Sequence, residues 1–311
     1  MKPKLVLARQ LPGLDAASLA PAFEVHTLAE GEGRAALLAA VADARVVIVS
    51  YLDRVDGPFL DAAPQLRHVA SYGVGLNHVD VPACHRRGVL VTNTPGVLTD
   101  ATADHAMALL LAAARRVAEG DRVVRGGGWS RVDPGFLLGV HVTGKVLGMV
   151  GFGRIGQAVA RRAAGFEMRI LYAGPREVEV AGARHVPLED LLAASDFVSL
   201  NVPLTPSTVN LLSRERIALM KRGAVLVNTA RGEVVDDEAL AEALSDGRLA
   251  AAGLDVFRDE PHVPARLLAL PNVVLTPHLG SGSVETRAAM SRLVVEDVLL
   301  VAQGEPPRHP V

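Results

Sequence analysis

A glycine motif near the middle of the chain constrains its fold more than any other feature. The apolar run 146–150 leads into Gly151, Gly153 and Gly156, spaced as G-x-G-x-x-G, and an amphipathic run continues to residue 164. Strand, glycine turn and helix form the context that a dinucleotide-binding turn requires. In such a turn the first glycine permits the bend, the second lets a pyrophosphate approach, and the third lets helix and strand pack closely. An ordinary glycine-rich turn is the alternative, because the motif alone is weak evidence.

Composition and charge narrow the class of protein. The chain has 311 residues, of which 50% are hydrophobic and only 4% aromatic, so we expect about two domains with cores of alanine, valine and leucine. A formal net charge of −2 is too balanced for a nucleic-acid or polybasic membrane binder. No apolar stretch reaches the roughly 18 residues of a membrane span, and the N-terminal apolar run is too short for a signal peptide. We therefore expect a cytoplasmic protein.

Cys84 is the only cysteine of the chain. A single cysteine excludes an internal disulfide and a multi-cysteine metal site, and it fits a reducing compartment. We predict no metal site. Cys84 lies in a helix-like segment, where a buried or bystander role is favoured over that of a nucleophile.

Strand-like and helix-like segments alternate in two series. The predicted strands are 4–8, 23–28, 45–50, 66–71 and 88–93 in the first series, and 146–150, 168–173, 196–201, 224–228, 251–256 and 272–276 in the second. The predicted helices are 34–42, 79–86, 99–117, 154–164, 188–194, 213–220, 236–246 and 284–302. This alternation predicts parallel sheets with helices on both faces.

The predicted fold class is therefore α/β, with two doubly wound parallel-sheet domains. A Rossmann-type nucleotide domain, residues 99–283, is inserted into a flavodoxin-like substrate domain, residues 1–98 and 284–311. The last helix follows the second series, so we expect it to return to the N-terminal domain. Two domains joined at two points suggest a hinge and an active-site cleft between them.

Three polar residues follow the ends of predicted strands, namely Arg231, Glu260 and His278. Each alone has an ordinary explanation, as an ion-paired arginine, a turn-ending glutamate or a histidine that bridges backbone. Ligands of such sheets bind beyond the carboxyl ends of the strands, so the joint placement favours catalysis. In hydride transfer to a carbonyl, a histidine donates the proton and a neighbouring carboxylate keeps it charged. An arginine holds the substrate carboxylate and polarises the carbonyl.

These residues lie within segments that resemble the D-isomer-specific 2-hydroxyacid dehydrogenase family over essentially the whole chain. The segments are SYGVGLNHVD (71–80), VTNTPGVLTDATADHAMALLLA (91–112), GMVGFGRIGQAVA (148–160), NVPLTPSTVNLL (201–212), LVNTARGEVVDDEALAEAL (226–244), AAGLDVFRDEP (251–261) and LPNVVLTPHLGSGSVETR (270–287). The resemblance implies that Arg231, Glu260 and His278 are the catalytic residues. It also implies that Arg231 and backbone amides of the loop Tyr72, Gly73, Val74 and Gly75 bind the substrate.

The same resemblance implies a set of cofactor contacts. They are Gly151, Gly153, Arg154, Ile155, Gly156, Val202, Pro203, Thr208, Thr229, Ala230, Asp255 and Gly280. Asp255 is expected to hold the nicotinamide carboxamide, although a strand-end aspartate is equally typical of a helix or turn cap.

The end of the second strand of the nucleotide domain bears on which dinucleotide binds. NAD-preferring sites place an acidic residue there to bind the adenosine ribose. The usual position, 22 residues after Gly151, holds Ala173, and Arg176 follows shortly. Since no carboxylate repels a 2′-phosphate and Arg176 is placed to pair with one, we predict that NADP(H) is preferred, with NAD(H) possible. The alternative is that Arg176 points to solvent and the site has only lost its specificity.

The resulting hypothesis is a homodimeric NADPH-dependent reductase of glyoxylate and hydroxypyruvate. Other specificities of the family, for hydroxyphenylpyruvate or 2-ketogluconate, stay open, as does a cofactor-sensing protein like the corepressors of this fold. His105 stands where relatives commonly have an aliphatic residue, and a core or interface role is expected for it. The glycine-rich segment that contains Trp129 resembles the arm that crosses to a partner subunit in this family.

Overall fold

The computed structural model describes residues 2–311, which form two compact units. The first unit comprises the residues up to Leu98 together with Gly282–Val311, and the second comprises Thr99–Ser281. The second unit is thus inserted into the first along the chain. Its end lies two residues before the boundary that was predicted at residue 283.

The secondary structure alternates between strand and helix in both units. The strands are β1 (Lys4–Leu7), β2 (Glu24–Thr27), β3 (Ala44–Val49), β4 (His68–Ser71), β5 (Leu90–Thr92), β6 (Val146–Val150), β7 (Arg169–Ala173), β8 (Ala183–His185), β9 (Phe197–Leu200), β10 (Ala224–Asn228), β11 (Leu249–Leu254) and β12 (Val273–Leu275). The α-helices are α1 (Arg34–Ala40), α2 (Gly57–Ala62), α3 (Val81–Arg86), α4 (Thr99–Ala114), α5 (Val117–Arg125), α6 (Arg154–Ala163), α7 (Leu188–Ala194), α8 (Arg214–Leu219), α9 (Asp237–Ser245), α10 (Ala265–Leu268) and α11 (Val284–Ala302).

The first unit is built on a parallel sheet with the strand order β2-β1-β3-β4-β5. This is the flavodoxin-like order, as predicted. One core cluster contains Leu37 of α1, Phe59 of α2 and Cys84 of α3, and a second contains Met290 and Val294 of α11. The sequence placed the last helix on this domain because the second series of strands had ended, and α11 packs there.

The second unit has a parallel sheet with the order β12-β11-β10-β9-β6-β7-β8. Counted from β6, this is the dinucleotide-binding order 3-2-1-4-5-6 with one further strand at the edge. Helices α4 and α6 contribute to one core cluster, and α7, α8 and α9 contribute to another. The connections reverse direction between β6 and β9, so the glycine turn after β6 lies at the point where such folds bind ligands. The predicted α/β class with two parallel sheets is confirmed.

Several elements differ from the prediction. The helix predicted over 99–117 ends at Ala114, because Arg116 adopts the left-handed conformation with φ 54° and its guanidinium pairs with Glu119 of α5. The sequence missed the short strand β8 and the helices α2, α5 and α10. Among residues 2–311, no helix combines the length and apolar character needed to cross a membrane.

The first unit buries two polar groups that matter for its stability. His68 of β4 is fully buried, its Nε2 lies 2.9 Å from Thr92 Oγ1, and burial lowers its pKa to about 4 although Asp297 opposes the shift. Asp53 is also buried, and its carboxylate accepts hydrogen bonds from the Arg9 guanidinium and from the Ser50 amide and hydroxyl. Cys84 is buried, as predicted, and burial raises its pKa to about 11.

Candidate active site

The three motif glycines have different surroundings. Gly151 has φ 89°, and a Cβ there would lie 2.6 Å from the Asn201 carbonyl oxygen, while a Cβ at Gly156 would lie 2.5 Å from the Gly151 oxygen. Close packing therefore requires glycine at both positions. Gly153 precedes α6, and no atom lies within 4 Å of a Cβ built on it. The open space at Gly153, beside the first-turn residues Arg154 and Ile155, fits the approach of a pyrophosphate to the helix N-terminus.

Buried polar atoms without partners lie after two strands of the same sheet. Within residues 2–311, Thr229 Oγ1 and Asn201 Oδ1 are buried and make no hydrogen bond. Asn201 follows β9, which is the neighbour of β6, and Thr229 follows β10, which is the next strand in the sheet. Both residues therefore lie near the carboxyl ends of their strands. Buried polar atoms normally have partners, so these two are candidates for binding a polar ligand. Thr229 was predicted as a contact, and Asn201 was missed.

The turn after β9 contains three predicted cofactor contacts. A Cβ on Gly151 would lie 2.9 Å from Val202 Cγ1, so Val202 borders the glycine turn. Thr208 Oγ1 donates to the Pro203 carbonyl at 2.7 Å and accepts from the Thr205 amide at 2.7 Å. The hydroxyl of Thr208 therefore shapes the turn itself.

Asp255 is the most heavily hydrogen-bonded carboxylate of this region. Its side chain is 1% exposed, and Oδ1 accepts from Thr276 Oγ1 and the Leu279 amide, both at 2.7 Å, and lies 3.1 Å from His105 Nε2. Its Oδ2 accepts from the Gly280 amide at 2.8 Å. Burial raises the pKa of Asp255, but the bonds from His105, Thr276 and Leu279 lower it more, so the pKa lies below its usual value. Asp255 is thus an anion that fixes the segment 276–280.

His278 and Glu260 form a direct pair. His278 Nδ1 lies 2.8 Å from Glu260 Oε2, and both side chains are 21% exposed. Glu260 Oε1 accepts from the Phe257 amide at 3.0 Å, so both carboxylate oxygens are bound in place. With Nδ1 engaged by the carboxylate, Nε2 is the nitrogen that can exchange a proton with a substrate. His278 has φ 54°, and its amide donates to the Asp255 carbonyl at 2.9 Å, which holds this left-handed residue.

Arg231 lies in a tight turn after β10. Asn228, which is buried, accepts from the Ala230 amide at 3.0 Å and donates to the Arg231 carbonyl at 2.9 Å. The Arg231 guanidinium donates to the Ala230 carbonyl at 2.6 Å. A Cβ on the next residue, Gly232, would lie 2.1 Å from the Phe257 carbonyl carbon. The missing side chain at Gly232 therefore lets the Arg231 turn pack on the segment that carries Glu260.

Arg231, Glu260 and His278 follow β10, β11 and β12, which are neighbours in the sheet. Their strands are parallel, so all three residues lie beyond the same edge. The sequence found them because each is a charged or titratable residue at a strand end. It missed Asn228, although an asparagine at the end of an apolar strand is a recognisable turn signal.

The end of β7 carries the predicted specificity residue. Ala173 is buried, and Arg176 is exposed and forms no ion pair with any carboxylate among residues 2–311. Arg176 lies in the loop between Tyr172 and Val178, and these two residues are bonded to each other. Tyr172 Oη donates to the Val178 carbonyl and accepts from the Val178 amide, both at 2.8 Å. His185 Nε2 lies 3.1 Å from the Gly174 carbonyl.

The loop from Tyr72 to Gly75 lies in the first unit. The Tyr72 amide donates to the Val49 carbonyl at 2.7 Å, and the Gly73 amide donates to the Ser71 carbonyl at 3.0 Å. The Tyr72 side chain is buried, with its hydroxyl bonded to the carbonyls of Pro12 and Arg287. The amides of Tyr72 and Gly73 are thus engaged, whereas those of Val74 and Gly75 donate to no backbone carbonyl within residues 2–311.

Potential metal ligands are not clustered among residues 2–311. Over residues 2–311 there is no group of three or more histidine, cysteine, aspartate or glutamate side chains that could hold a metal ion.

The chain is similar to known proteins over nearly its whole length. The family model described as D-isomer specific 2-hydroxyacid dehydrogenase, NAD binding domain, matches residues 107–280. Glyoxylate reductase from Pyrococcus furiosus is 48% identical over 317 residues, covering 99% of this chain and 94% of the relative. Glyoxylate reductase from Thermococcus kodakarensis is also 48% identical, with coverages of 99% and 95%.

Two solved structures are also similar to this chain over nearly its whole length. A protein from Thermus thermophilus is similar with a TM-score of 0.93 at 47% identity, covering 99% of both chains. The NADPH-dependent glyoxylate/hydroxypyruvate reductase of Sinorhizobium meliloti, solved with NADP and malonate, is similar with a TM-score of 0.90. It is 36% identical, and the match covers 100% of this chain and 97% of that one.

Proposed function

Because the chain belongs to the D-isomer specific 2-hydroxyacid dehydrogenase family, we propose that it reduces small 2-oxo acids, glyoxylate and hydroxypyruvate foremost, with NADPH. The products are the corresponding D-2-hydroxy acids or, for glyoxylate, glycolate. The observation that carries this proposal is the His278–Glu260 pair at 2.8 Å, which a protein that only senses the cofactor does not need. The names of the archaeal relatives, glyoxylate reductases, support this choice of substrate.

The cofactor is assigned to the carboxyl edge of the second unit's sheet. The amides at the start of α6 would bind its pyrophosphate above Gly153, and Thr229 Oγ1 and Asn201 Oδ1 supply polar atoms that lack partners within residues 2–311. Asp255 would accept from the nicotinamide carboxamide. When bound, NADPH supplies the hydride to the substrate carbonyl carbon.

His278 is assigned the role of general acid. As the carbonyl carbon gains the hydride, its oxygen develops negative charge and takes the proton from Nε2 of the imidazolium. Glu260, bound to Nδ1, stabilises the imidazolium before transfer and stays ionised afterwards. The imidazole then regains a proton from solvent. Each turnover thus consumes one hydride and one proton, which matches reduction of a ketone or aldehyde to an alcohol.

Substrate orientation is assigned to Arg231 and to the first unit's glycine loop. A guanidinium binds a carboxylate through two parallel hydrogen bonds and also polarises the adjacent carbonyl. A 2-oxo acid carries its carbonyl next to its carboxylate, so a guanidinium bound to the carboxylate places the carbonyl oxygen for His278. The resemblance to the family assigns further substrate contacts to the backbone amides of Val74 and Gly75.

The preference for NADPH rests on the end of β7. Ala173 offers no carboxylate to repel a 2′-phosphate, and the exposed Arg176 is placed to pair with one. The S. meliloti relative was solved with NADP, which supports this assignment.

The test compares Arg176→Ala with Arg169→Ala, an exposed arginine at the opposite end of the same strand. Arg176→Ala is expected to raise KM for NADPH at least about tenfold and to leave KM for NADH nearly unchanged, whereas Arg169→Ala changes neither. Equal effects of Arg176→Ala on both cofactors would refute the preference.

A homodimer is also proposed, from the segment that follows α5. Trp129, Val132, Phe136 and Leu138 are exposed there, and Val132 is 85% exposed. Such a concentration of apolar residues is typical of an interface. Analytical ultracentrifugation tests it, because a monomer at micromolar concentration would contradict the proposal. The expected cytoplasmic location and the absence of a nucleic-acid partner stay predictions.

The activity itself is tested by steady-state turnover with both cofactors. Glyoxylate, hydroxypyruvate, hydroxyphenylpyruvate and 2-ketogluconate are compared, and the first two are expected to give the highest kcat/KM. His278→Ala is expected to abolish nearly all turnover and to keep cofactor binding. Highest activity on one of the larger acids would reassign the substrate, and cofactor binding without turnover on any of them would refute the enzymatic proposal.

A further inference from the structure

His105 makes a contact that a packing residue does not require. It lies on α4, and its Nε2 is 3.1 Å from Asp255 Oδ1 and 3.0 Å from Thr276 Oγ1. The two contacted residues are separated from His105 by 150 and 171 positions in the chain. The imidazole is 18% exposed and Asp255 is 1% exposed, so water competes little for this bond.

The position of α4 is set by close packing on β11. A Cβ on Gly253 would lie 2.9 Å from Leu109 Cβ and 3.1 Å from the Leu109 carbonyl oxygen, so the helix lies against the strand where that side chain is missing. His105 is one turn before Leu109 on the same face of α4. Asp255 is two residues after Gly253. The close contact therefore brings the imidazole to the carboxylate at the strand end.

The hydrogen-bond donors in this cluster can be assigned from their chemistry. The ionised Asp255 carboxylate only accepts, and the Thr276 hydroxyl gives its proton to Oδ1 at 2.7 Å. His105 Nε2 must then carry a hydrogen and share it between Asp255 and Thr276. Oδ1 is thereby bound by Thr276, Leu279 and His105, whereas within residues 2–311 Oδ2 is bound by the Gly280 amide alone.

We propose that His105 is a positioning residue for cofactor binding. It completes the set of donors that binds Oδ1 of Asp255, and it thereby fixes the orientation of the carboxylate that is proposed to accept from the amide group of a nicotinamide. Through Asp255 it also supports the segment that carries His278, whose amide donates to the Asp255 carbonyl. The inference rests on the proposed function, in which Asp255 binds the carboxamide.

A matched pair of variants separates this role from packing. His105→Leu removes the donor and keeps an apolar side chain of similar size, whereas His105→Gln places an amide donor near the position of Nε2. Asp104→Asn on the adjacent, exposed position serves as the control for changes to α4. Binding of NADPH is measured by calorimetry, independently of turnover. Thermal unfolding is measured for each variant.

The expected result is a Kd for NADPH at least about tenfold weaker in His105→Leu, with most of the affinity restored in His105→Gln and no change in Asp104→Asn. The loss of kcat/KM at low pH should also begin at a higher pH in His105→Leu. The reason is that the hydrogen bond from His105 lowers the pKa of Asp255, so its removal makes the carboxylate easier to protonate.

Two outcomes overturn the inference, and they differ from failure of the proposed function. Equal NADPH affinity in wild type and His105→Leu, with the low-pH loss of kcat/KM unmoved, refutes the positioning role alone. Equal weakening in His105→Leu and His105→Gln, together with a matching loss of Tm, shows that the residue only packs. If the wild-type protein binds neither NADPH nor NADH, the proposed function fails and the inference fails with it.

Discussion

The charge-stabilising role of Glu260 is the most direct chemical prediction. In Glu260→Gln the carboxylate that now binds both the Phe257 amide and His278 Nδ1 becomes a neutral amide with one acceptor oxygen. If that oxygen stays on the Phe257 amide, the new NH₂ group faces Nδ1. Nδ1 must then accept, so the imidazolium loses the partner that stabilises its charge.

The magnitude follows from the geometry of the pair. The bond is 2.8 Å long and both side chains are 21% exposed, so it is largely shielded from solvent. A hydrogen bond to a charged group contributes about 1.5–3 kcal/mol. At about 1.4 kcal/mol for each factor of ten, kcat for reduction at neutral pH should fall roughly 10- to 100-fold.

The assay is the consumption of NADPH at neutral pH, with Asp259→Asn as the control. Asp259 is exposed and adjacent in sequence, so its replacement removes the same charge without touching His278. The control should behave as wild type. A Glu260→Gln enzyme with wild-type kcat would refute the assigned role, and equal changes of kcat in both variants would show a general charge effect.

Three further predictions concern packing and buried polar groups. Gly232→Ala places a methyl group about 2.1 Å from the Phe257 carbonyl carbon, so urea unfolding should show a loss of about 1–3 kcal/mol together with reduced turnover; unchanged values would contradict the packing described. Burial lowers the pKa of His68 from 6.5 to about 4, so between these pH values only the unfolded chain binds a proton at this residue. The free energy of unfolding should therefore fall by roughly 3 kcal/mol as the pH is lowered from 6.5 to about 4. A His68→Gln variant should lose less over the same window, and parallel profiles would refute the assignment. Asp53→Ala leaves Arg9 without its buried partner and should cost about 2–3 kcal/mol in urea unfolding, whereas a loss below about 0.5 kcal/mol would contradict a structural role.

The fold was predictable because most of its strands are buried on both faces. Runs such as 146–150 and 224–228 are continuous apolar segments between turn residues, and each became a strand within two residues of its predicted bounds. Strand β8 was missed because its residues, Ala-Arg-His, carry no such pattern, and its position depends on pairing with β7. The break after α4 was missed because Arg116 is a non-glycine residue in a left-handed conformation.

The candidate site was predictable only in part, for a related reason. Arg231, Glu260 and His278 each follow a strand, and the order of strands brings strand ends together. The contact of His105 with Asp255 depends instead on how closely α4 approaches β11, which the missing side chain of Gly253 permits. Spacing along the chain carries no information about that distance.

The left-handed backbone at His278 has a consequence for protein engineering. A residue with a Cβ pays about 1–2 kcal/mol for this conformation, and glycine avoids most of that cost. A library selected for thermal stability alone should therefore drift toward glycine at position 278, as at Arg116 and Glu167, which share the conformation. At Glu167 the exchange is expected to be harmless, whereas at Arg116 it would also remove the ion pair with Glu119. At His278 it would remove the proposed proton donor together with its contact to Glu260, so stability screens of this chain need a catalytic counter-selection.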